Sequence, residues 1–479
     1  MYPELKLLIG GSWTDGSTGE SLPVHNPATG ALLGQLPIAS AADVDAAVDA
    51  AARAFVGWKA MTALERGRIL ARIGQLLRSR ASELAPILTM EQGKPLAEAH
   101  GELTSAADNF EWAGEEGKRL CGRIVPSRFP GADQYVLNEP IGVVAALSPW
   151  NFPAVLATRK IAMALAAGCT LVIKPAEETP GILVAIAHLC LEAGLPAGAL
   201  NMVFGIPAQI SERLIRSPQV KKISFTGSVP VGKQLSALAG QEMKPITLEL
   251  GGHSPVLVME DADVKQVAKL ALASKFRNAG QICMAPTRFY VHDTVFDQFV
   301  ECFAEGARSI KVGDGLESGV TMGPLVSARR VAAMESLTAD ACNAGARLIC
   351  GGARPQGVPR EGSFWEPTVL ADVPGHARVM TEEPFGPMAL MVRIRSVEDA
   401  LERANRSSYG LASFAFTDSA RSISTIRSGI QAGSISINTF AITPPELPFG
   451  GVKDSGLGVE MGVEGLSAYT TPKVCIQAA

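Results

Sequence analysis

From residue 141 to residue 239 the chain alternates strictly between short apolar runs and helical stretches, and this alternation constrains the fold more than any other feature. Residues 141–147, 170–174, 201–204 and 221–226 have the length and composition of buried strands. Between and after them, residues 154–167, 181–193, 208–216 and 231–239 carry helical spacing. Strand and helix in turn predict a parallel, doubly wound sheet. Ligands of such sheets bind beyond the carboxyl ends of the strands, so the residues that follow each run are the candidate contacts.

Those residues are Ser148-Pro149-Trp150-Asn151, Lys174 to Glu177, Phe204-Gly205 and Phe225-Thr226-Gly227-Ser228. Each has a use in holding a dinucleotide. Lys174 and Glu177 are close enough to reach the two ribose hydroxyls of an adenosine, the carboxylate accepting from both and repelling a 2′-phosphate, which favours NAD over NADP. Gly227 and Ser228 precede a helix whose amino end suits a pyrophosphate. The spacing from Gly227 to Gly232 is wider than in the usual GxGxxG pattern.

Two further stretches carry reactive side chains. In Thr247-Leu248-Glu249-Leu250-Gly251-Gly252-His253-Ser254-Pro255 a carboxylate sits inside an apolar, strand-like run. Burial leaves Glu249 two readings, a salt bridge to a lysine such as Lys244, or a raised pKa that suits a general base near neutral pH. His253 reads as a structural histidine. In Arg277-Asn-Ala-Gly-Gln-Ile-Cys283 the cysteine follows a helix predicted over 264–278 and sits on a turn with its backbone N–H exposed. A thiolate there is a nucleophile, and a neighbouring amide can stabilise the oxyanion it creates on a carbonyl. A lone cysteine is more often a small buried hydrophobe.

The rest of the chain frames these stretches. Residues 5–38 read as short strands and turns, 41–58 as an Asp-capped, Ala-rich helix, and 64–80, 82–92 and 104–120 as further helices, with Trp112 on an apolar side. Residues 122–140 are proline-broken around a strand-like piece at 133–138, and the tail has a strand-like end at 473–477 that can pair with it, within one subunit or between two. After Cys283 a second alternating region begins, with strands at 288–292, near 347–349 and 368–371 and helices at 295–307 and 329–344. It holds Thr381-Glu382-Glu383-Pro384-Phe385-Gly386-Pro387, a rigid pair of acids beside an aromatic, and the glycine-rich loop 447–456.

Composition narrows the classes. A chain of 479 residues divides into two or three domains. With a net charge of -4 it has no general attraction for nucleic acid or anionic lipid. Eight cysteines lack CxxC or metal-ligand spacing, so no metal is expected. The start lacks a signal-peptide pattern and no apolar run reaches membrane-spanning length, which predicts a cytoplasmic protein that neither spans nor anchors to a membrane.

Taken together the motifs resemble the NAD(P)-dependent aldehyde dehydrogenases over essentially the whole chain. Pro149-Trp150-Asn151-Phe152-Pro153, Lys174-Pro175-Ala176-Glu177, Phe225-Thr226-Gly227-Ser228, Leu248-Glu249-Leu250-Gly251-Gly252, Gly280-Gln281-Ile282-Cys283, Glu383-Pro384-Phe385-Gly386-Pro387 and Pro448-Phe449-Gly450-Gly451 carry the likeness, in the family's order. The resemblance implies an α/β fold with a doubly wound, Rossmann-like cofactor domain (1–122 and 141–248), a second α/β catalytic domain (249–447) and a small β oligomerisation arm (123–140 and 448–479). It implies Cys283 as nucleophile, Asn151 with the Cys283 N–H as oxyanion donors, and Glu249 as the base that activates water against the thioester. For the cofactor it implies Lys174 and Glu177 at the adenosine ribose, Ser228 at the pyrophosphate, Glu383 at the nicotinamide ribose, Phe385 near the nicotinamide and Trp150 along its channel. Ser148, Pro149, Gly205, Gly227 and Leu250 complete that surface, and a homodimer or homotetramer is expected.

Among relatives the chain is most similar to succinate and α-ketoglutarate semialdehyde dehydrogenases, notably in residues 274–281 and in Arg159. Arg159 and Arg277 would then stand at the mouth of the aldehyde tunnel, where guanidinium forks suit a substrate carboxylate; the alternatives are that they are surface groups, or that the aldehyde is uncharged. Three departures stand out. Thr443 beside Pro444 and Pro445 occupies the place of a carboxylate-binding serine, Ala285 replaces a second cysteine found in some relatives, and His253 follows the double glycine in place of Lys or Asn.

Overall fold

The computed structural model describes residues 2–478. β1 (Leu7–Ile9) turns through Gly10 and Gly11, both at positive φ, into β2 (Ser12–Thr14), while β3 (Ser21–His25) and β4 (Leu32–Pro37) form a separate ribbon. α1 (Ala41–Ala60), α2 (Ala63–Ser79), α3 (Ala81–Gln92) and α4 (Leu96–Glu116) follow. Ser40 and Thr62 exchange hydrogen bonds with acids three residues on, Asp43 and Glu65, and so close capping boxes on α1 and α2. The cap of α1 is thus this serine and not an aspartate. α3 stops at Gly93, left-handed at φ 97°.

After β5 (Arg123–Val125) and β6 (Ala132–Pro140) comes the alternation read from the sequence: β7 (Val143–Leu147), α5 (Pro153–Ala166), β8 (Thr170–Lys174), α6 (Pro180–Glu192), β9 (Leu200–Met202), α7 (Pro207–Arg216), β10 (Val220–Thr226), α8 (Val229–Gln241) and β11 (Ile246–Glu249). All four helices open with proline in the first two positions, where its missing N–H costs no hydrogen bond. β11, β10, β7, β8 and β9 lie parallel in that order, and β1 and β2 extend the sheet beyond β9. Every residue of β7 and β8 is buried, so both faces of the sheet are covered.

The second half contains β12 (Ser254–Val258), α9 (Val264–Lys275), β13 (Pro286–His292), α10 (Asp293–Arg308), α11 (Ala328–Asn343), β14 (Arg347–Cys350), β15 (Thr368–Ala371), β16 (Met388–Ile394), α12 (Val397–Asn405), β17 (Ala412–Phe416), α13 (Ala420–Gly429) and β18 (Ser434–Ile437). They build a seven-stranded sheet, β14-β15-β16-β13-β12-β17-β18, parallel except for β14. The unit from β16 to α13 is absent from the elements read along the sequence. β16 and β17 are near-continuous apolar runs, which have no period to separate a buried strand from a buried helix.

The strand-like run 247–255 divides between the sheets. β11 ends at Glu249 in the first, β12 begins at Ser254 in the second, and Gly251 and Gly252 make the crossing. β19 (Gly456–Leu457) returns to the edge of the first sheet beside β11, α14 (Gly462–Ser467) follows, and β20 (Thr470–Ala478) pairs antiparallel with β6, from Thr470 opposite Pro140 to Ala478 opposite Ala132. The arm sheet therefore closes within one chain, and of the C-terminal segment only β20 lies on it. No described helix is long and apolar enough to cross a membrane.

Candidate active site

The candidate residues of the first sheet stand at the carboxyl ends of its parallel strands. Ser148 follows β7, is 7% exposed and has no hydrogen-bond partner for its hydroxyl among the described residues. Pro149 and Trp150 are half-buried beyond it. Lys174 closes β8 and forms an ion pair with Glu177. Gly205 follows β9 and packs against Ala39. Gly227 follows β10, and Ser228 is the first-residue cap of α8, yet its side chain makes no cap hydrogen bond. Leu250 follows β11 and lies on Gly232 of α8, where a Cβ would come within 2.5 Å of it. Buried or free hydroxyls beside an open helix amino end fit a dinucleotide laid across these strand ends.

At the crossing of the sheets the chain is crowded. A Cβ on Gly252 would lie 2.2 Å from the Cys283 carbonyl oxygen, and one on Gly251 would lie 2.5 Å from Glu383 Oε2. The Gly252 N–H donates to Glu383 Oε1 at 3.1 Å. Phe385 meets Trp150 edge to face at 5.5 Å, joining the Glu383 turn to the β7 strand end. Burial pushes the Glu383 carboxyl up to about 8, against the Gly252 N–H and the positive Arg330 and Lys275.

Glu249 is 1% exposed, and neither carboxylate oxygen has a hydrogen-bond partner among the described residues. Burial pushes its carboxyl up to about 8, the negative Glu460 acts the same way, and the positive Arg159 and Lys160 oppose them. Lys244 is not its partner, since that ammonium donates to the carbonyls of Ile215 and Ser217. His253 Nε2 meets the Val379 carbonyl at 2.9 Å, its Nδ1 has no partner among the described residues, and burial lowers its pKa well below the usual imidazole range.

Cys283 is reached by a different local path from the one expected. α9 ends at Lys275, and residues 277–280 form a 3-10 turn in which Asn278 and Ala279 are left-handed, at φ 49° and 51°. Helical backbone cannot continue through such residues. Cys283 is half-buried, and its thiol is pushed up first by burial, then by the charges of Glu249 and Glu383, while Arg159 pulls it down.

A cavity of about 290 Å³ brings Cys283 together with Asn151, Arg159, Arg277 and Thr443. Its walls include Phe152, Ile282, Pro444, Pro445 and Phe449. Arg159 is only 7% exposed, with its guanidinium 5.5 Å from the centre of the Phe449 ring, so the surface reading fails for it. Arg277 is exposed and lies 5.2 Å over the Phe152 ring at the edge of the same cavity.

Several residues at the site had not been singled out from the sequence. Lys94, Glu98 and Glu102 support the Asn151 turn and the Asn278 turn from behind, and Lys160 forms a buried ion pair with Glu460 close to Glu249. Lys160 had a signal, a second cation after Arg159 inside the otherwise apolar α5. Glu102 had none, since a carboxylate in the amphipathic α4 looks like any solvated one.

The aldehyde dehydrogenase family profile matches residues 13–475. The 4-(hydroxymethyl)benzenesulfonate dehydrogenase of Comamonas testosteroni is 46% identical over 99% of this chain and 98% of its own. The succinate-semialdehyde dehydrogenase (NADP+) of Escherichia coli is 44% identical over 98% of this chain and 97% of its own. Among solved structures, a succinate-semialdehyde dehydrogenase from Burkholderia pseudomallei superposes with a TM-score of 0.97 at 42% identity, covering 99% of this chain and 98% of that one. With the profile spanning both sheets, the crossing between them and the Cys283 cavity, the chain belongs to the aldehyde dehydrogenase family and is an NAD(P)-dependent enzyme.

Proposed function

We propose that the chain oxidises an aldehyde with a distal carboxylate, of the succinate or α-ketoglutarate semialdehyde type, to the acid, with NAD preferred over NADP. The observation that carries this reading is the single cavity holding Cys283 beside two arginines, one of them buried. A guanidinium away from water discriminates strongly for an anion. The names of the relatives favour an anion away from the reacting carbon, a carboxylate in the succinate-semialdehyde dehydrogenase and a sulfonate in the 4-(hydroxymethyl)benzenesulfonate dehydrogenase, while the former names NADP+ as cofactor.

In this mechanism the Cys283 thiol first loses its proton to solvent, the thiolate attacks the aldehyde carbon, and the side-chain amide of Asn151 and the Cys283 N–H hold the oxyanion. NAD(P) held at the strand ends would supply the hydride acceptor for this oxidation. Glu249 then takes a proton from water, which cleaves the thioester and frees Cys283. Lys174 and Glu177 would hold the adenosine ribose, Ser228 the pyrophosphate and Glu383 the nicotinamide ribose, with Phe385 near the nicotinamide and Trp150 along the cofactor channel. Residues 1–122 and 141–248 form the cofactor domain, which lends Asn151 to the chemistry, and 249–447 the catalytic domain, which lends Glu383 and Phe385 to the cofactor. The arm joins subunits into a homodimer or homotetramer, and the enzyme works in the cytoplasm.

The test is NADH and NADPH formation on succinate semialdehyde, α-ketoglutarate semialdehyde, 4-formylbenzenesulfonate and hexanal, by the wild type and by Arg277→Ala. Arg277 is the informative substitution, because Arg159 also lowers the Cys283 pKa and its loss slows attack on every aldehyde. The expected result is preference for the carboxylated aldehydes with NAD, and a selective fall of about 10-fold or more in kcat/KM on them in Arg277→Ala. Equal loss on hexanal would remove the clamp and leave an enzyme for uncharged aldehydes, the second reading.

A further inference from the structure

The turn that presents Asn151 is held from behind by a buried ammonium. Lys94 follows the left-handed Gly93 at the end of α3 and is 1% exposed. Its Nζ donates to the main-chain carbonyl of Asn151 at 2.9 Å, lies 3.8 Å from the centre of the Phe152 ring, and forms an ion pair with Glu102, itself 1% exposed. The other oxygen of that carboxylate, Oε1, accepts from the backbone N–H groups of Ala154 at 2.9 Å and Val155 at 3.3 Å, amides that open α5 and have no partner within the helix. One ion pair thus fixes residues 151, 152, 154 and 155, the link between β7 and α5.

The front of the turn is tied to the second half of the molecule. The Asn151 carbonyl accepts a further bond from Asn278 Nδ2 at 2.9 Å, and Asn151 Nδ2 donates to the Gln281 carbonyl at 3.1 Å. The second N–H of that amide is the one left for a substrate oxygen. Its direction follows the peptide that Lys94 anchors, and a misplacement of about 1 Å in such a donor costs on the order of 100-fold in rate.

Resting on the reading of Asn151 as an oxyanion donor, we propose that Lys94, paired with Glu102, is a positioning residue for the oxyanion hole. Lys94 is not among the walls of the Cys283 cavity, to which Glu102 contributes, and acts through the Asn151 main chain. A buried pair of this kind need add little net stability, because desolvation offsets the attraction, whereas breaking it by removing one partner leaves an uncompensated charge. That separates placement from folding in an experiment.

The full-length enzyme is compared with Lys94→Met, Lys94→Met/Glu102→Gln and Asn151→Ala in two reactions of Cys283. Hydrolysis of p-nitrophenyl acetate passes through an oxyanion without hydride transfer; alkylation by iodoacetamide forms no oxyanion. Asn151→Ala should lower ester hydrolysis about 100-fold or more. Both Lys94 variants should lower it about 10-fold or more, with alkylation within about twofold of the wild type. The double variant, left without a lone buried charge, should keep its Tm, and adding Lys94→Met to Asn151→Ala should cause no further loss. Ester hydrolysis within about twofold of wild type in the folded double variant, a parallel fall in alkylation, or loss of soluble protein in both Lys94 variants would each overturn the assignment. If Asn151→Ala itself hydrolyses the ester normally, the oxyanion reading fails first and this inference with it.

Discussion

Glu249 shows how one residue carries a functional signal in both sequence and structure. A carboxylate inside an apolar run is an anomaly that local composition reveals, and its burial, with the negative Glu460 nearby, is what raises its pKa to about 8. The sign follows directly. A carboxyl raised above its ordinary value is mostly protonated at neutral pH, so its capacity as a base grows as pH rises through that value. Thioester hydrolysis should therefore accelerate between about pH 6 and pH 9, followed as the steady rate after the burst in stopped-flow NADH traces. Glu249→Gln should keep the burst and lose about 100-fold or more of the steady rate at every pH; a steady rate in the wild type that does not respond to pH would count against Glu249 as the base. Lys94 was not legible in the same way. Its bond to Asn151 spans 57 residues, and its ordinary surroundings in sequence give no hint of burial.

At the scale of elements, period and turn chemistry carried far. The four strand–helix units from β7 to α8 appear as the alternation predicts, with bounds within a few residues. The Cys283 turn was harder, because helical spacing runs on past Lys275 and only close packing forces the chain left-handed. Gly280 shows the constraint, at φ 70° with a would-be Cβ 2.2 Å from the Gly386 carbonyl oxygen, in the turn that carries Glu383 and Phe385. Gly280→Ala should lose about 2 kcal/mol or more in urea unfolding and slow the alkylation of Cys283. Gly19 has nearly the same φ, 71°, with nothing within 4 Å of its would-be Cβ, so Gly19→Ala isolates the backbone strain, which is about 1 kcal/mol. Equal losses in the two variants would mean that the contact with Gly386 does not hold the turn.

For the whole molecule, the arm is the open surface. Ile124 is 78% exposed, Val474 70% and Ile476 56%, on a three-stranded sheet with both its outer strands at an edge. Apolar side chains grouped this way mark a surface that a partner covers, and the proposed homo-oligomer would place a second copy there. Val474→Lys with Ile476→Lys should shift the enzyme to a smaller species in sedimentation velocity, and an unchanged sedimentation coefficient would place the contact elsewhere. By itself the sequence determined the wound sheet, the residues that stand at its strand ends and the motifs of an aldehyde dehydrogenase, because periodicity, turn residues and short motifs are local properties of a chain. Only the tertiary structure decided that Arg159 is buried on Phe449 while Arg277 is open, that Glu249 is buried beside Glu460, and that Lys94 stands behind Asn151. Those are contacts between residues far apart in the chain, set by how two sheets pack across a glycine crossing, and burial and pairing of that kind have no local pattern to announce them.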